Sequence, residues 1–255
     1  IMGTMTEPNT GETPDWGSWQ LELARVTLLL GPGEKRTVAW ADIVGEPAET
    51  RQEQPRTGQV VEAGLLDGHV LRLAQGPGRV DCVLAAGPDE MAGGQLTMGA
   101  VGEVLDSFRP LVGRWLDSID LAVPRVALGL TLLKPVEGRD AGYTSLAPYL
   151  PFLRLPADAE DFFLQINLPL PAAGPGEPRT NRLSKWSVME VRQISIRPGA
   201  DGVAQQSDDP AQHLVRLELD VNTEPAWTAP LGRLGSRLDH LVDCAAAVAS
   251  RGVQS

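Results

Sequence analysis

Metal ligands, reactive thiols and basic surface are all scarce in this chain. Its 3 histidines are His69, His213 and His240, and none stands at HxH, HxxE or HExxH spacing. A zinc site, which needs several nitrogen or sulfur donors turned to one point, is therefore not written locally. The 2 cysteines, Cys82 and Cys244, lie far apart without CxxC spacing and sit among apolar residues, which reads as two buried, reduced thiols. The run "LVDCAAAVA" gives Cys244 no cation in sequence to stabilise a thiolate. His240, beside Asp239 in a helical stretch, reads as a surface residue.

Positive charge is short as well. Against 33 acidic residues stand 22 lysines and arginines, a net charge of −11. Nucleic-acid binders draw affinity from neutralised phosphates and show a basic stripe. The densest basic run here, "RTNRLSKW", holds only Arg179, Arg182 and Lys185, which argues against nucleic acid as a partner. An acidic surface selects basic proteins instead. No apolar run reaches membrane-spanning length. A basic stretch followed by an apolar one is missing from the start, so a cytoplasmic protein without membrane contact is expected. Nor is there a GxSxG nucleophile elbow. "GPGEK" is too short for a phosphate loop, and "GPGRV" opens a strand where a dinucleotide fingerprint opens a helix.

What the chain does have is alternation. Residues 1–15 are polar and aperiodic, a disordered tail in which Ile1 to Thr4 read as cloning remnants. From Trp19 to Leu30 a strand is expected, with Leu21 and Leu23 on one face and Glu22 on the other. Two or three short strands follow, broken at the hairpin signals Asp67-Gly68 and Gly76 to Gly78. Val101, Val104, Leu105, Phe108, Leu111, Val112 and Trp115 recur at helical spacing. Pro110 lies inside that helix and should kink or divide it. The second half reads similarly. "RVALGLTLL", "DFFLQINLPLP", "WSVMEVRQISI" and "HLVRLELDVNT" are strands, and a helix runs from about Pro230 to Ala249 with Thr228 as its N-cap and Trp227 stapling its entrance. The proline-broken stretch "GYTSLAPYLPFLRLP" is a connector with one short helical turn.

The pattern predicts an α+β fold: two strand-rich halves, 16–118 and 119–255, of largely antiparallel sheet. A long amphipathic helix follows each half, as a duplicated plan would have it, and the halves could merge into one domain. The helices should cover one face of the sheet.

Two residue sets are candidates for function. Glu190, Glu218 and Asp220 lie on late strands and could gather as oxygen ligands for Mg²⁺ or Mn²⁺ in a nuclease or hydrolase. Against this, acids and arginines alternate along "LVRLELDVN", so Arg216 and Arg192 are expected to neutralise the carboxylates across strands. The second set is Arg182, Lys185 and Trp186. In a chain with only 5 % aromatic residues, a tryptophan among cations suits a binding hot spot, while the plainer alternative is an indole packed on the sheet with arginine lying over it.

The segments "ARVTLLL", "VPRVALGLTLLKPV" and "LVRLELDVNT" ahead of a final amphipathic helix resemble a sporadically distributed family of uncharacterised bacterial proteins of about this length. Arg125 corresponds to that family's Arg-led strand, and Asp220-Val221-Asn222 to its acidic strand. The resemblance implies no assigned activity; its patchy distribution suggests mobile or antiviral-defence gene clusters. Together these readings favour a non-enzymatic binding or assembly protein with a protein partner, no cofactor and a tendency to form homodimers, the apolar "RVALGLTLL" serving as an edge strand in need of cover. The alternatives are the metal-dependent hydrolase and a small-molecule sensor with its pocket between helices and sheet.

Overall fold

Two tight hairpins organise the first half of the sheet. β3 (Gln59–Leu66) turns into β4 (His69–Gly76) through Asp67 and Gly68, at φ 52° and 86°. Two successive positive φ angles make the turn whose twist matches paired strands. β4 turns into β5 (Arg79–Ala85) through Pro77 and Gly78, the glycine at φ 72°. The computed structural model describes residues 16–34, 37–88, 91, 94–156, 159–172, 174, 177–192, 194–198, 204–208, 211–225 and 233–254, with the backbone alone of 194–198 and 204–208. The predicted tail 1–15, and Trp227, Thr228 and Pro230 at the predicted start of the last helix, lie outside the described residues.

The other strands are β1 (Gln20–Leu29), β2 (Thr50–Gln54), β6 (Arg125–Val136), β7 (Phe163–Asn167), β8 (Thr180–Val191), β9 (Ile194–Pro198), β10 (Ala204–Asp208) and β11 (Gln212–Thr223). Nine of the eleven described strands form one sheet in the order β2-β3-β4-β5-β1-β6-β11-β8-β7, and β9 and β10 pair separately. Every pairing among the described strands is antiparallel. Outward from the β1/β6 seam the chain steps β1-β5-β4-β3-β2 on one side and β6-β11-β8-β7 on the other. "RVALGLTLL" is thus not an edge strand. β6 is bonded on both flanks, and its apolar residues are covered by partners inside the same sheet.

Among the described residues four α-helices accompany the sheet: α1 (Trp40–Val44), α2 (Val101–Ser118), α3 (Arg139–Leu146) and α4 (Leu234–Arg251). Sequence periodicity missed α1 and β2, both a single turn or five residues long and too brief to show a period. α1 is fixed by partners distant in sequence. The buried Glu62 carboxylate accepts a 2.6 Å bond from Trp40 N and a 2.5 Å bond from Arg51, while Asp42 accepts from Ala39 N at the helix start. The Trp40 ring covers Gly64, where an added Cβ would lie 3.0 Å from Cζ2. Pro110 does not divide α2, which runs through it from Val101 to Ser118. α2 and α4 meet closely at Gly113 and Gly235, and Asp117 of α2 accepts a 2.8 Å bond from Gly235 N. That carboxylate satisfies a donor at the α4 N-terminus, which has no side-chain cap of its own.

One face of the sheet and these helices share the core. Leu71, Leu84, Ala24, Leu130 and Leu219 form one buried row across it; Leu73, Cys82, Val26, Leu128 and Val221 form the next. A bulge corrects the reading of β1. The register shifts between Leu21 and Leu23, so Leu21, opposite Leu132, faces the core, whereas Leu23, opposite Thr131, faces away. No described helix is long and apolar enough to cross a membrane.

Candidate functional site

Strand parity decides where each candidate residue points. On β8 the buried side chains are Thr180, Arg182, Ser184 and Trp186, so even positions face the helices and Lys185 faces away. The hot-spot trio therefore does not form a surface. Trp186 is 0 % exposed, its ring 5.4 Å from Tyr149 and 6.2 Å from Trp19, with Nε1 donating to Ser184. Arg182 is 6 % exposed and donates from Nε to Leu168 O at 3.0 Å. Burial pushes its guanidinium below the usual arginine range.

The same parity parts the three carboxylates. Glu190 lies opposite His213 on the helix-facing side, while Glu218 and Asp220 lie on the other side of β11. A metal held by all three would have to pass through the sheet. Among the described residues no group of three or more His, Cys, Asp or Glu is arranged to hold an ion. Glu190 pairs with Arg192, just past the end of β8, at 2.6 Å and faces His213 at 3.4 Å, and the Arg192 bond lowers its pKa.

Packed behind Trp186, α4 brings His240 and Cys244 against β8. Neither is the surface or isolated group that sequence suggested. His240 Nε2 stands 3.3 Å from Thr180 Oγ1 and 3.6 Å from Cys244 Sγ, and burial, aided by Arg237, lowers its pKa. Arg182 and Arg237 both lie near Cys244, a cationic setting invisible in "LVDCAAAVA". Burial still prevails: the Cys244 thiol is pushed up to about 11 and that of Cys82 to about 12. Thiolate chemistry is therefore closed to both at neutral pH.

The open face carries the polar groups. No described helix lies on it, and one row crosses all nine strands: Thr50, Ala63, Arg72, Val83, Arg25, Gly129, Asp220, Leu183 and Asn167. Most charges here are already matched. Glu218 meets Lys185 at 3.3 Å and Arg216 at 3.3 Å; Asp81 accepts from Arg79 at 2.6 Å and from Thr27 at 2.5 Å. Asn222 links the strands, accepting from Arg125 at 2.7 Å and Asn181 at 3.1 Å and donating to Asp220 at 2.7 Å. Asp220 departs from the expected pattern, because its bond comes from an amide and no arginine forms an ion pair with it among the described residues.

In the middle of this face is a depression of about 240 Å³ lined by Leu23, Arg25, Gly129, Lys185, Glu218 and Asp220 among others. Gly129 is its floor, and the Arg25 guanidinium reaches over it: an added Cβ would lie 3.3 Å from Nη2. Arg25 and Gly129 could not be found from sequence, since only the register of β1, β6 and β11 makes them neighbours of Asp220.

No protein-family model, curated protein or solved structure matches the chain.

Proposed function

We propose that the protein is a non-enzymatic binding or assembly module whose recognition surface is the open face of the nine-stranded sheet. The observation that carries this reading is the contrast between its centre and its margins. At the centre, ion pairs and amide bonds hold the side chains in fixed positions. At the margins Leu65 and Phe163 stand 49 % and 61 % exposed on the same face. Large apolar residues flanking a centre whose charges are mostly ion-paired suit a protein partner, and a net charge of −11 favours a basic one. Arg125 donating to Asn222 joins the two segments that carry the bacterial family resemblance, which belongs to the same reading along with a defence-related context and a duplicated two-half plan. Homodimers would form along β7, an edge strand without charge, since β2 at the other edge carries Arg51 and Glu53.

The test is affinity capture with the wild type, a Leu65→Asp/Phe163→Asp double variant and a helix-side Arg109→Gln control. A partner retained by the wild type and control, released by salt and lost by the double variant supports the reading. Identical capture by all three refutes it. Sedimentation velocity of wild type and Ile166→Lys tests the β7 dimer in the same way.

A further inference from the structure

Two charges on the open face have no ion pair among the described residues, and they flank the same glycine. Arg25 Nε is shielded from solvent without a hydrogen-bond partner, and the guanidinium has no ion pair among the described residues. Asp220 accepts one bond, from the neutral Asn222 amide, and likewise has no ion pair among them. Arg25 and Asp220 occupy register positions on either side of Gly129. The Arg25 guanidinium extends over Gly129, yet no ion pair joins it to Asp220 among the described residues. The surrounding charges leave this pair alone: Lys185 and Arg216 are engaged by Glu218, Arg216 also by Glu22 at 3.5 Å, and Arg79, whose field reaches Asp220, is bound by Asp81.

We propose that the Arg25–Gly129–Asp220 depression binds a compact zwitterion of the free α-amino acid class, its carboxylate on Arg25 and its ammonium on Asp220. Leaving the shielded Arg25 Nε without an acceptor is unfavourable, and a carboxylate is the anion that matches the planar fork of a guanidinium. A dianion is disfavoured by the facing Asp220 and Glu218. Gly129 supplies the space, since any side chain there would meet Arg25. At about 240 Å³ the depression lies below the range of about 300–1,000 Å³ usual for drug-sized ligands, which favours a compact occupant. This inference goes beyond the partner reading and needs only the isolated protein.

Isothermal titration calorimetry of the full chain with glycine, alanine, serine, threonine and valine tests it, with N-acetylalanine and alaninamide as singly charged controls. At least one free amino acid should bind about tenfold more tightly than either control, the difference a charge-assisted bond makes. Arg25→Gln should abolish the preference over alaninamide alone, and Asp220→Asn the preference over N-acetylalanine alone. Gly129→Ala should weaken all binding. Circular dichroism verifies that each variant is folded; should one unfold, the comparison of analogues on the wild type still decides. The proposal is overturned if no free amino acid binds at millimolar concentration, if either control binds as well as the free amino acid, or if folded variants keep the wild-type preferences.

Discussion

The two faces of the sheet are built from the same strands and differ in what their alternate residues meet. Toward the helices, β11 presents Val215, Leu217, Leu219 and Val221, all 4 % exposed or less; away from them it presents Arg216, Glu218, Asp220 and Asn222. On the helix side, polar groups such as Glu62 and Trp19 Nε1 hold backbone atoms of distant elements, Trp40 N and Ala249 O. On the open side they bond mostly to one another. Polar residues thus fasten the fold on one face and arrange a surface on the other, and stability should respond to mutation accordingly.

The sharpest way to break this contrast is to truncate one residue on each side of β8. Trp186→Ala should cost about 3–5 kcal/mol, the range for a buried aromatic, whereas Leu183→Ala should cost under about 1 kcal/mol. Denaturant midpoints giving equal losses would show that the open face is packed as tightly as the core. Next in size, Glu62→Ala should cost about 1.5–3 kcal/mol, because it strips a charged acceptor from Trp40 N and Arg51. Glu62→Gln, able to bond Trp40 N, should recover part of that in the same unfolding measurement.

Acid should strike the helix side first. His240 has its folded-state pKa below the ordinary value, so the unfolded chain takes up a proton before the folded one does. The stability it contributes is complete above about pH 6.5 and is lost as pH falls from there through the lowered folded value. Melting temperatures of the wild type should therefore drop across this window more steeply than those of His240→Gln; parallel curves would mean that the imidazole is not shielded. The smallest effect belongs to the open face. Glu218→Gln removes an exposed partner of Lys185 and Arg216 and should change stability by under about 1 kcal/mol, with the difference shrinking in high salt. A larger, salt-independent loss would make the open face part of the core.

Much of this contrast was legible in advance because period-2 alternation is a local property. "LVRLELDVN" sorted its residues onto the correct sides, and the hairpin at Asp67-Gly68 and the stripes of α2 and α4 followed from short-range spacing. Failures arose where one residue changes a parity or where a side was assigned without it. The bulge after Leu21 turned Leu23 outward. Arg182, Lys185 and Trp186 looked like one patch because they are near in sequence, yet adjacent strand residues point to opposite faces. Glu190 fails as a companion of Glu218 for the same reason, applied through the β8/β11 register.

By itself, then, the sequence determined most of the longer strands, the tight turns, two amphipathic helices and an acidic chain without local metal or nucleophile motifs, since each depends on neighbours a few residues apart. Only the tertiary structure decided that β1 and β6 lie side by side at the centre, that Arg182 and Arg237 approach Cys244, and that Arg25 and Asp220 face each other across Gly129. Those neighbours come from distant stretches of chain, and strand register, set by core packing and turn geometry together, is what brings them level.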